Sequence, residues 1–244
     1  MGGIMPPVET QEHLLLNGDT VAISRNGLHQ YWTDGQTYRK MASVTSMLGP
    51  LDSGFGVGLG WGLKMAREHS KDGIPDLDAP RRVGKEAQEE GTKLHDAIQN
   101  YIEQGIVDEE SPAFVSWLNA LGDYGWKASE RFLYHPGANG MGRLFGGTLD
   151  AISNSNEIWD WKSVAPGSTF RNTQKNSAQL GAYAMALRAM GSVYAPEKGF
   201  LAYIFRDGSG VDIQEVDLKG GWELFKASFH VYQLMKGKGE GNVS

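Results

Sequence analysis

The chain has 244 residues, 40% of them hydrophobic and seven of them tryptophan, enough for one large domain with a sizeable core. It contains no cysteine, which excludes disulfides, an iron–sulfur cluster and a thiol nucleophile. A net charge of −6 denies it the overall basic excess that favours sequence-independent binding to nucleic acid, so any such contact must rest on local clusters. No apolar run approaches the roughly 18–20 residues of a membrane span. The opening MGGIMPPVETQEH lacks the basic and apolar segments of a signal peptide, and Pro6 stands where a myristoylation motif needs Ser or Thr. A cytoplasmic protein with no membrane contact is the expectation.

Residues 1–18 read as a poorly ordered lead-in. Between Thr20 and Arg39 the turn signals Asn26-Gly27 and Asp34-Gly35 separate short β-prone runs, which predicts a small antiparallel meander. Ser43–Leu48 is predicted as a short helix, the Gly-rich stretch 49–60 as a loop, and Trp61–His69 as a helix ended by the breaker Asp72-Gly73-Ile74-Pro75. From Pro80 to Gln104, Val83, Ala87, Gly91, Leu94, Ile98 and Ile102 recur at spacings of three and four, the stripe of a helix with one buried face. A second helix is predicted over Ser111–Ser129, with Ser111 as cap and Pro112 at the first position. The texture then changes. Strands are predicted over Glu130–His135, Leu144–Ile152 and Glu157–Lys162, a helix over Asn176–Met190, two strands near 199–205 and 211–217, and a closing helix over 221–236. That last helix presents Trp222, Phe225, Phe229 and Tyr232 as a core stripe. The order implies a mixed α/β fold, a central mixed sheet with helices on its faces. Residues 1–79 are read as an extension, a β-hairpin with short helices, packed on a core of residues 80–244.

The sharpest chemical signal lies in GGTLDAISNSNEIWDWKS, residues 146–163. Asp150 and Asp160 fall on neighbouring strands joined by a short turn. Because strand side chains alternate, Asp160 and Lys162 share one face while Trp159 and Trp161 take the other. An acid and a base on an otherwise apolar strand are costly unless paired or bound to a metal. Two carboxylates are also what holds a hard divalent cation against a phosphate oxygen and an attacking water. Beside that chemistry stands the plainer reading of a partly buried Asp160–Lys162 ion pair. Gln179 and Tyr183, four apart, share one helix face. Glu130 opens the first sheet strand, where it either adds a carboxylate or is an exposed strand-end acid. Basic residues gather around Arg82 and Lys93, and again at Arg171 and Lys175 ahead of the Gln179 helix, where phosphate contact is natural because free backbone N–H groups point the same way.

In order along the chain, GTKLH at 91–95, GGTLD ending at Asp150, DWK at 160–162 and QLGAY at 179–183 resemble the four motifs of PD-(D/E)XK nucleases, of the RecB-type and phage-exonuclease branch. The likeness covers roughly residues 80–190, with Leu149 in place of the eponymous proline. It implies a restriction-endonuclease-like core and a Mg²⁺ site, with Mn²⁺ able to substitute. It assigns His95, Asp150 and Asp160 as metal ligands, Lys162 as catalytic, and Gln179 and Tyr183 as assisting near the site. The implied activity is that of a DNA nuclease, an exonuclease of phage-type recombination, repair or end processing. The implied partners are DNA and a phage recombination or single-strand-binding protein, in the host cytoplasm if phage-encoded. A structure-dependent endonuclease, an inactive DNA-binding or scaffold descendant of the same fold, and a hydrolase of small phosphate esters remain as alternatives.

Overall fold

Two sheets organise the chain. The computed structural model describes residues 9–25, 31–33, 42–51, 56–136, 145–168 and 173–237. The first sheet is antiparallel, in the order β1 (Glu9–Leu14), β2 (Thr20–Arg25), β3 (Tyr31–Thr33). The segment read as a poorly ordered lead-in therefore contains a strand: β1 pairs with β2 from Glu9↔Arg25 to Leu14↔Thr20, and His13 is fully buried. Its sequence, ETQEHL, carries no apolar alternation, so nothing local announced it. The turn signals Asn26-Gly27 and Asp34-Gly35 lie outside the described residues.

The second sheet has six strands. These are β4 (Ala42–Ser43), β5 (Trp126–His135), β6 (Phe145–Ser153), β7 (Ile158–Val164), β8 (Gly199–Phe205) and β9 (Val211–Val216). Their order is β4-β6-β7-β8-β9, with β5 also on β6. The pairs β5/β6, β6/β7 and β8/β9 are antiparallel, while β4/β6 and β7/β8 are parallel, so the sheet is mixed as the sequence predicts. The helices are α1 (Val44–Met47), α2 (Gly56–Glu68), α3 (Ala79–Gln104), α4 (Pro112–Leu121), α5 (Thr173–Ala189) and α6 (Leu218–Gly237). None among the described residues is long and apolar enough to cross a membrane.

Two boundaries differ from expectation. Helix α2 begins at Gly56, inside the stretch read as a loop, after a 3₁₀ turn over Gly49–Leu51. Helix α4 is capped by Ser111 as predicted but stops at Leu121, not Ser129. The chain turns through Gly125, at a left-handed φ of 84°, and β5 starts at Trp126, whose indole N–H donates to the Leu121 carbonyl at 3.1 Å. Trp126 also stacks on Trp117, 6.0 Å between centroids, so aromatic packing continues where the helix does not. That continuity hid the stop.

The sheet separates two cores. On one face, α3 and α4 bury Leu94, Ile98, Phe114 and Trp117 against Trp159, Trp161 and Ile204. On the other, α5 and α6 cover Ile158, Leu201 and Tyr203, with Leu180, Leu187, Phe225 and Phe229 inside. Ile23, Tyr31, Val44, Met47 and Leu48 belong to this second core, so the described part of the first 79 residues shares the core of the rest. Helices α5 and α6 cross in backbone contact: a Cβ on Gly181 would lie 2.3 Å from the Trp222 nitrogen. The glycine of QLGAY serves that crossing.

Candidate active site

The ladder between β6 and β7 is short, pairing only Ala151 with Trp159 and Ile152 with Ile158. At the next position the Asp150 carboxylate replaces the backbone partner, its Oδ2 accepting the Trp161 N–H at 2.6 Å. Farther along β6, β4 occupies the same edge at Phe145 and Gly146. The two strands thus part at Asp150 and Asp160, and the parted edge is where polar side chains collect.

From α3, His95 reaches this opening. Its Nδ1 stands 3.6 Å from Glu130 Oε1 and 3.7 Å from Asp150 Oδ1, and its Nε2 is 3.2 Å from the Trp161 carbonyl oxygen. One ligand atom from each of His95, Glu130 and Asp150 lies within 4.8 Å of the others. Burial opposes the imidazolium, but Asp150 first and Glu130 second outweigh it and raise the pKa of His95 to about 9. The ring is then doubly protonated at neutral pH and Nε2–H donates to Trp161. Glu130 sits opposite Asp150, because the β5/β6 ladder pairs Ser129 with Ala151 and Arg131 with Leu149. Like charges placed so repel, and the histidine between them offsets this. Glu130 also has φ 43° in mid-strand, a left-handed conformation that costs a non-glycine residue about 1–3 kcal/mol.

Asp160 is fully buried on the α5 side of β7. Among the described residues neither of its oxygens receives a hydrogen bond of good geometry; the Lys162 ammonium lies 2.7 Å from Oδ2 as an ion pair. Burial raises its pKa to about 6 against the pull of Lys162. Burial raises the pKa of Asp150 as well, opposed by His95. Lys162 is itself held above its usual range, since Asp160 and Asp150 outweigh desolvation. Burial alone therefore does not make Lys162 a proton acceptor. From Lys162 the polar chain continues: Nζ donates to Gln179 Oε1 at 3.4 Å, and Gln179 Nε2 donates to the Tyr183 hydroxyl oxygen at 3.0 Å.

The glycines of GGTLD make room for rings. A Cβ on Gly147 would lie 2.5 Å from Tyr183 Cε1, and one on Gly146 would lie 2.7 Å from Tyr31 Cγ. The Tyr31 hydroxyl bonds Thr148 Oγ1 at 2.8 Å, and Arg25 Nη1 donates to the same oxygen at 3.1 Å. Neither Tyr31 nor Arg25 was legible as a neighbour of the site, because each arrives from the N-terminal sheet more than a hundred residues away.

The fold brings His95, Glu130, Asp150, Asp160, Lys162, Gln179 and Tyr183 to one opening. It divides the ligand set that the family resemblance implies. The tight triad is His95, Asp150 and Glu130, while Asp160 faces Lys162. The basic residues are placed less uniformly. Arg82 is spent on Asp76, 3.0 Å away, and Lys93 is exposed two residues from His95, on a different face of α3. Lys175 lies half-buried in the first turn of α5; Arg171 lies outside the described residues.

No family model matches the chain, and no curated protein matches it. Among solved structures it is similar to the crystal structure of SSO0001, at 15% identity and a TM-score of 0.43, over 82% of this chain and 80% of that one. A likeness that distant carries no argument about function.

Proposed function

We propose that the protein is a divalent-metal-dependent deoxyribonuclease that hydrolyses phosphodiester bonds where β6 and β7 part. The observation that carries this reading is Asp160, a fully buried carboxylate with no hydrogen-bond donor of good geometry among the described residues, one strand from a second buried acid. A carboxylate so placed is costly unless a cation completes its shell. Carboxylate oxygens, an imidazole nitrogen and a backbone carbonyl are donors that Mg²⁺ and Mn²⁺ accept, the imidazole favouring Mn²⁺. His95, Asp150 and Asp160 would hold the ion, with Glu130 beside them. Bound there, it supplies polarisation of a phosphate and a lowered pKa for an attacking water.

The protein's own groups have separable tasks. Lys162, an ammonium fixed between Asp160 and Gln179, neutralises charge on the phosphate under attack. Tyr183 holds the Gln179 carboxamide, and so the lysine, in place. His95 would release a proton to solvent as a cation binds and so present a neutral ring nitrogen. DNA as substrate, and an exonuclease of phage-type recombination, repair or end processing as the class, rest on the four motifs and their order; a recombination or single-strand-binding protein would be the natural partner. The test is cleavage of end-labelled linear DNA, single- and double-stranded, beside covalently closed circles, with Mg²⁺ or with EDTA. Loss of linear DNA only with Mg²⁺, circles spared, is the expected result. Cleaved circles would make the enzyme an endonuclease, and no metal-dependent cleavage of any form would overturn the proposal.

A further inference from the structure

We infer that Gln11 is a positioning residue of the site, a side-chain clamp from the N-terminal sheet that holds Glu130 with its carboxylate towards His95; this rests on the metal-site reading above. Among the described residues, strand β5 is paired with β6 along one edge only. On its other side the Gln11 carboxamide stands in for a neighbouring strand. Its Nε2 donates to the Glu130 carbonyl oxygen at 2.8 Å, and its Oε1 accepts the Phe132 N–H at 2.9 Å. One planar amide thus satisfies a backbone acceptor and a backbone donor on either side of Arg131. Arg131 returns the contact, Nη2 donating to the Glu12 carbonyl oxygen at 2.8 Å.

The clamp falls where the backbone least favours its own conformation. Glu130 is left-handed at φ 43° within a ten-residue strand. A residue in that state keeps it only when its surroundings over-determine it. The flanking hydrogen bonds to Gln11 do so. Gln11 is itself fixed by pairing with Ile23 on β2, so the clamp is mounted on a sheet and not on a loose end. Relaxed to ordinary β geometry, Glu130 would swing its carboxylate away from His95 Nδ1, now 3.6 Å distant. A plainer role, Gln11 as glue between two sheets, predicts no dependence on that carboxylate.

Mn²⁺ binding to the full-length chain, followed by electron paramagnetic resonance, separates the two. Gln11→Ala should weaken Mn²⁺ binding about tenfold, the scale on which groups that orient metal ligands act. Glu130→Gln should weaken it at least as much, and adding Gln11→Ala to Glu130→Gln should weaken it no further. Should Gln11→Ala fail to fold, Gln11→Glu reads the same cycle: it keeps the acceptor for Phe132 N–H and loses the donor to Glu130. Unchanged binding in the folded Gln11 variants, or the same loss whether or not Glu130 is present, would overturn the inference while leaving the metal site standing. A wild-type chain that binds no Mn²⁺ would overturn both.

Discussion

The two faces of β7 are a study in opposites. On one, Trp159 and Trp161 sit among Trp117, Trp126, Phe114 and Phe200, with ring centroids 4.6–6.0 Å apart, and among the described residues the indole N–H groups of Trp117 and Trp159 are buried without a partner. On the other, one residue away, Asp160 is equally buried and, among the described residues, is paired with Lys162 alone. The first face lowers the free energy of the fold through apolar burial and aromatic pairing, each pair adding about 0.5–1.5 kcal/mol. The second raises it. A strand that carries both shows stability and chemistry divided by the alternation of side chains alone, with the aromatic layer offsetting what the acids cost.

Breaking the aromatic side should cost stability. Trp117 is fully buried at the hub of that layer, so Trp117→Ala is expected to destabilise the protein by roughly 3–5 kcal/mol, read from urea unfolding. Breaking the charged side should cost turnover instead. Asp150→Ala, Asp160→Ala and Lys162→Ala are each expected to lower Mg²⁺-dependent DNA cleavage by roughly a hundredfold or more with the fold retained. Near-normal cleavage by any one of them removes that residue from the site, and unfolding of all three would erase the contrast between the faces.

A buried histidine sharpens the comparison from elsewhere. His13 is fully buried with neither ring nitrogen hydrogen-bonded among the described residues, and burial, aided by Arg131, depresses its pKa to about 4. Below its ordinary value of 6.5 the unfolded chain takes up a proton that the folded chain refuses. Stability tied to His13 is therefore complete above that pH and lost as pH falls towards 4, amounting to roughly 2 kcal/mol by pH 5. Unfolding of the wild type and His13→Leu at pH 7 and pH 5 checks this: the variant should lack that part of the loss. The opposite shift of His95 concerns ligands more than folding. His95→Ala is expected to weaken Mn²⁺ binding about tenfold while DNA affinity in EDTA stays unchanged. A parallel loss of DNA affinity would make the ring a structural element.

Much of this contrast was legible in the sequence, and the reason is periodicity. Alternation along residues 158–162 assigned Trp159 and Trp161 to one side and Asp160 and Lys162 to the other, and the helical spacing of Gln179 and Tyr183 put those two on one face. What escaped was whatever depends on distant backbone. Strand β1 is a strand because β2 pairs with it, and its own polar sequence is silent. The end of α4 was masked by tryptophans that pack on both sides of the turn. The left-handed Glu130, which brings a third group to His95 and Asp150, has no signature in residue types at all, since a glutamate in a strand is ordinarily extended.

Everything proposed for this site requires an ion held where β6 and β7 part. Crystals grown with Mn²⁺ and measured at the manganese absorption edge test that most directly. The expected result is one anomalous peak within about 2.0–2.3 Å of a His95 ring nitrogen and an Asp150 oxygen, with an Asp160 oxygen turned to the same ion. A peak bonded elsewhere, or an opening that stays without manganese while Asp160 keeps only Lys162, would contradict it.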